Sequence, residues 1–212
     1  MQLLQTFSII PIGTAAAVGA WRFRELDRPL RGVAVVVFCE LLIEVLSRVA
    51  AQVSDSNLFL LPIDTVLEFG LLAWVYAQVL RPSRVSRWLP LVIVLFSLWG
   101  LLSYLRPGTL YEYNTSQRFA ESLMVLSLVV LYFYKVIRDL VIVHLEREPM
   151  FWVSMGLLIY FAGNLFIFIS SNYVVQHSTE LSLQLWVVHA GFYIILNLLY
   201  TLALWIAPSN RK

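Results

Sequence analysis

The sequence predicts an all-α integral membrane protein: a single domain of seven transmembrane helices, N-terminus outside and C-terminus cytoplasmic. Three observations carry this. Hydrophobic residues make up 60% of the 212-residue chain, mean hydropathy is +0.79, and soluble domains are nearer one half apolar. Apolar runs near the roughly 20 residues that cross a bilayer recur along the chain. Basic residues fall in alternate connectors, as the positive-inside rule requires.

The predicted spans are residues 2–21, 32–51, 58–80, 89–105, 119–137, 150–171 and 183–207. The first holds "GTAAAVGA", which resembles a signal-peptide cleavage site. No positive charge precedes that apolar run and Arg22, Arg24, Arg28 and Arg31 follow it, the reverse of a cleaved signal, so it reads as a retained helix. The second interrupts its apolar run with Glu40, Glu44 and Arg48, the third with Asp64 and Glu68, and the fifth with Glu121 and Ser122. The sixth carries Tyr160 and Asn164, and the seventh His189, Tyr193, Asn197 and Tyr200. Between the spans lie the turn-forming stretches "DRPLRG", "VSDSN", "RPSR", "RPGT" and "SSN". "VIRDLVIVHLERE" reads as a cytoplasmic connector, or as a short amphipathic helix continuing into the cytoplasm. Asn114-Thr115-Ser116 is a glycosylation-type triplet on a predicted external loop.

Charge orients the bundle. Arg22, Arg24, Arg28, Arg31, Arg81, Arg84, Arg87, Lys135, Arg138, Arg147, Arg211 and Lys212 share one side, and Arg48, Arg106 and Arg118 fall on the other. Trp21, Trp88, Trp152 and Trp205 lie at the same basic ends, as an interfacial aromatic belt would. The lone cysteine, Cys39, excludes an intrachain disulfide.

Residues four apart on a helix share a face. Glu40, Glu44 and Arg48 therefore form one stripe, Asp64 and Glu68 a second, and His189, Tyr193 and Asn197 a third, each backed by Leu, Val, Ile and Phe. At about 1.5 Å per residue, Glu44, Glu68, Tyr160 and Tyr193 fall near the midplane. Arg48, Asp64, Asn164, Glu121 and His189 fall in the outer half. A charge facing lipid at the bilayer centre costs at least about 2.5–3.5 kcal/mol. The stripes should therefore face inward, with Glu40, Glu44, Asp64, Glu68 and Glu121 set against Arg48 and a protonated His189. That acid excess calls for protons or a bound cation. The competing reading is a sealed network that specifies helix packing, with Arg48 bridging Glu44 and Asp64. One charge pair would suffice for that, so a ligand- or cation-binding site is expected.

A shift of 116 residues aligns "LLIEVLSRV" with "LLIYFAGNL", pairing Glu44 with Tyr160, Arg48 with Asn164 and Arg22 with Arg138. With a longer loop, Asp64 then meets His189 and Glu68 meets Tyr193. This suggests a 3+1+3 parallel repeat with the fourth helix as linker.

Several chemistries are set aside. The seventh span contains no lysine, which argues against retinal. No phosphate-binding Gly loop, Cys-x-x-Cys or His-Glu-x-x-His occurs. A ceramidase-like hydrolase needs about three buried histidines, and His144 and His177 are read in loops. No cofactor and no nucleic-acid partner are expected, and no catalytic residue is assigned. The remaining classes are a sensor or receptor-like subunit, binding a small ligand or cation in an outward-facing acidic cavity, and a proton- or cation-coupled solute transporter. Pro11, Pro62 and Pro90 are read toward helix ends, which counts against the broken helices of transporters.

"FWVSMGLLIYFAGNLFIFISSN" followed by "LWVVHAGFYIILNLLYTLALW" resembles small, functionally uncharacterised seven-helix bacterial proteins related to the membrane modules of sensor histidine kinases. The resemblance covers about the last two helices. It implies a sensory role, a multi-pass location in a bacterial inner membrane, and a signalling partner such as a histidine kinase.

Overall fold

The computed structural model describes residues 2–53, 57–103, 115–139, 144–177 and 179–209. Among them it is all helical, with seven long helices: α1 Gln2–Arg22, α2 Arg28–Val53, α3 Leu61–Val79, α4 Arg84–Ser103, α5 Thr115–Asp139, α6 Pro149–His177 and α7 Thr179–Ile206. Short 3₁₀ turns at Leu58–Leu60 and Leu145–Arg147 precede α3 and α6. Leu58–Val79, Arg84–Ser103, Thr115–Asp139 and Leu183–Ile206 are long and apolar enough to cross a membrane, and Pro149–Leu165 is a shorter apolar stretch. The chain is a helical membrane protein.

α2, α4, α5 and α7 begin about one turn before their apolar runs, and polar caps start two of them. Asp27 Oδ1 accepts a 3.0 Å hydrogen bond from the Leu30 amide and opens α2, and Ser83 Oγ does the same for Ser86 at 3.1 Å on α4. α5 starts at Thr115, which draws Arg118 into the helix. Pro62 and Pro149 stand at helix starts, where a missing N–H costs nothing. Pro11 instead sits midway along α1 and Pro90 within α4. "SSN" and His177 are not in a loop, since α6 continues to His177. Asn114, Arg106, Arg211, Lys212 and residues 140–143 lie outside the described residues.

Six helices form a ring in the order α1, α2, α3, α5, α6, α7, closed by α1 against α7. α4 packs on α3 through Phe69 and Phe96, whose centroids are 4.5 Å apart. Its other face leaves Leu91, Val94, Leu95, Leu98, Leu101 and Leu102 exposed, a surface suited to lipid. Exchanging α1–α3 for α5–α7 maps every neighbouring pair of the ring onto another such pair. Gly32 allows α2 to approach α3, because a Cβ there would lie 2.6 Å from Val75 Cγ2.

Two long cations close this ring at its basic end. Arg22 donates to the carbonyls of Leu204 at 2.9 Å, Ala207 at 2.6 Å and Trp205, satisfying the last turn of α7. Lys135 donates to Val79 at 2.7 Å and Arg81 at 2.8 Å, doing the same for α3. The offset of 125 residues that pairs Asp64 with His189 also pairs Val79 with Leu204. Trp21, Trp88 and Trp205 are exposed at this end, and Trp152 Nε1 donates to the Glu146 carbonyl at 2.9 Å.

Candidate functional site

Arg118 is the centre of the charged interior. Its side chain is 7% exposed, and it donates to Glu68 at 2.9 Å, to Glu121 at 3.2 Å and to Asp64. Glu121 is reached along α5 itself, three residues on, whereas Asp64 and Glu68 present two successive turns of α3. A planar guanidinium with several N–H donors can serve three carboxylates at once, which a lysine ammonium does less well. Ser122 Oγ donates to the Arg118 carbonyl at 2.8 Å and anchors this turn.

Glu40 belongs to the same interior. It lies within electrostatic range of Asp64, Glu68 and Arg118, and both its carboxylate oxygens are buried without a hydrogen-bond partner. The opposite wall is aromatic. Tyr160 sits 5.7 Å from the His189 ring and 6.2 Å from Tyr193, and Trp186 stands edge-on to His189 at 5.5 Å. Asn164 and His189 join through Oδ1 and Nδ1 at 3.1 Å, linking α6 to α7. Asn197 is buried one turn further along α7 and donates from Nδ2 to the Tyr193 carbonyl at 3.0 Å.

The structure thus brings together Glu40, Asp64, Glu68 and Glu121 with Arg118, and Tyr160, Asn164, His189 and Tyr193 beside them. Glu44 and Arg48 behave otherwise. They pair with each other at 2.7 Å, one turn apart, with side chains 30% and 32% exposed. This corrects the expectation that Arg48 is the interior cation. Beyond Val37, α2 contributes no fully buried residue, and Leu42, Val45, Leu46 and Val49 are exposed. Arg118, read from the sequence as an external loop residue, takes the central role. Its signal was the spacing Arg118–Glu121–Ser122, which places all three on one helical face.

Below the acids the bundle is filled. Tyr76 on α3 and Ser154 on α6 share a 2.8 Å hydrogen bond across the interior, and Leu72, Leu157, Phe161, Tyr200 and Leu204 are fully buried around them. Along α3, exposure rises by one turn from Glu68 at 7% to Asp64 at 21%. Among the described residues no three His, Cys, Asp or Glu side chains converge as a metal site. No protein-family model, curated protein or solved structure matches the chain.

Proposed function

We propose that this chain is a seven-helix membrane sensor subunit that binds a small ligand or cation among interior carboxylates and signals through a partner protein. One observation carries the reading. Asp64, Glu68 and Glu121 all bond the single Arg118, and Glu40 stands close by without a partner. Ionised together, these groups hold a net negative charge in a medium of low dielectric, so their stable state needs protons or a cationic ligand. Occupancy then changes the energy of the interface between α3, α5 and α2, which is the differential interaction a switch requires.

Access from one side is supported by the rise in exposure from Glu68 to Asp64 along α3 and by the buried residues around Tyr76. In this reading the end bearing Arg22 and Lys135 faces the cytoplasm of a bacterial inner membrane. α7 runs from His189 to the carbonyls clamped by Arg22, and so connects the site to that end. A cytoplasmic or membrane partner such as a histidine kinase would read the change there.

A cation-coupled transporter is the second reading. It is favoured by the exchange relation within the helix ring and by the matched clamps of Arg22 on Leu204 and Lys135 on Val79, which suit a 3+1+3 parallel repeat. Reconstitution separates the two. A sensor gives ligand-dependent stabilisation and kinase co-purification with no flux into proteoliposomes. Proton or cation uptake that Glu68→Gln abolishes would establish transport and overturn the sensor.

A further inference from the structure

We infer that the ligand is a small organic cation bearing a primary ammonium group, and that Glu40 is its anchoring residue. The inference rests on the proposed binding role of the acidic interior and adds the ligand's chemical class. Arg118 already occupies one oxygen each of Asp64, Glu68 and Glu121. Among the described carboxylates, both oxygens of Glu40 and Oε1 of Glu121, a residue with no exposed surface, are buried without a donor. A buried carboxylate oxygen without a donor is costly to leave unmatched, and an ammonium supplies N–H donors and compensating charge together.

Two further features distinguish this ligand from a bare ion. No three described carboxylates, histidines or cysteines are arranged to hold a metal ion, which would need several of them as ligands. Tyr160, Tyr193 and Tyr200 also lie within electrostatic range of Glu40. Aromatic faces attract an organic cation. The Tyr200 hydroxyl is fully buried and has no partner. It is a second unmatched polar group, independent of the acids and within electrostatic range of Glu40 and Glu68. The alkyl part of the ligand would lie against these rings while its nitrogen meets Glu40.

The test uses the full chain in lipid nanodiscs and a series from methylammonium to butylammonium, with tetramethylammonium and sodium at matched ionic strength. A primary ammonium at several times its Kd should raise the unfolding temperature by about 2–4 °C, and Glu40→Gln should abolish that rise. On the unmodified chain, the same compound should protect Glu40 from a hydrophobic carbodiimide, read by peptide mass spectrometry. This second measurement decides the matter if Glu40→Gln does not fold. Equal stabilisation by tetramethylammonium or sodium would overturn the ammonium assignment while leaving an occupied acidic site intact. Stabilisation that survives Glu40→Gln, or protection that spares Glu40, would overturn Glu40 as the anchor. No response to any cation would overturn both this inference and the binding site beneath it.

Discussion

Arg118 and Glu68, fifty positions apart in the chain, meet at 2.9 Å between side chains that are each 7% exposed. Neither group is tolerable there alone. Removing one partner of a buried ion pair costs about 3–5 kcal/mol, because the other charge is left uncompensated. Arg118→Met should therefore lower the unfolding free energy by that amount, or prevent accumulation of folded protein. Arg118→Lys should recover part of the loss, since an ammonium restores the charge without the planar fork. Arg48→Met removes a pair that is about one third exposed and should cost less, below about 1 kcal/mol. Thermal unfolding of the three variants in one detergent checks the order.

Glycine substitutions should separate close helix contacts from open surface. Gly32→Ala places a methyl 2.6 Å from Val75 Cγ2 and 2.8 Å from the Trp74 ring. Overpacking of this kind costs about 1–3 kcal/mol. Gly191→Ala meets nothing within 4 Å and should be neutral or stabilising by up to about 1 kcal/mol through helix propensity.

The clamps at the basic end should act locally. Arg22→Gln removes donors from Leu204, Trp205 and Ala207, and Lys135→Gln removes them from Val79 and Arg81. Hydrogen exchange should accelerate in the last turn of α7 for the first variant and in the last turn of α3 for the second. Each loss should amount to about 1.5–3 kcal/mol, as for hydrogen bonds from a charged donor.

The connector before α6 carries a pH-dependent term. Burial raises the Glu148 carboxyl above the usual glutamate range, the Met150 amide opposes the rise, and the charge of Asp27 adds to it. The folded chain therefore favours neutral Glu148. Its contribution is full below the ordinary glutamate pKa and lost as pH rises through the raised value. Glu148→Gln should be more stable than the parent at pH 7, by less than about 1 kcal/mol for a partly solvated group, and equal to it below about pH 4. Unfolding temperatures across that range measure the difference.

The helical class and the inward stripes were legible because a period of 3.6 residues and an apolar background leave few alternatives. Glu68, Glu121, Tyr160 and Asn164 are buried as their faces demanded. Helix starts were less legible, since apolar windows ignore the polar first turn. Asp27 and Ser83 were read as turn residues, although each caps the helix that follows. The same blindness put Arg118 in a loop and left Arg48 as the interior cation. Stripe geometry also could not show that the outer half of α2 leaves the core. That departure separates Glu40, which lies within electrostatic range of Asp64 and Glu68, from Glu44, which pairs with Arg48 on its own helix.

The interior charge cluster is tested most directly by a double-mutant cycle between Arg118→Met and Glu68→Gln, read as unfolding free energy in one lipid system. Residues that share a buried network couple by about 0.5–3 kcal/mol, and this pair should fall in the upper half of that range, with the double variant more stable than Arg118→Met alone. Losses that add to within about 0.3 kcal/mol would mean that Arg118 and Glu68 do not meet inside the bundle, and the acidic site built around them would not exist.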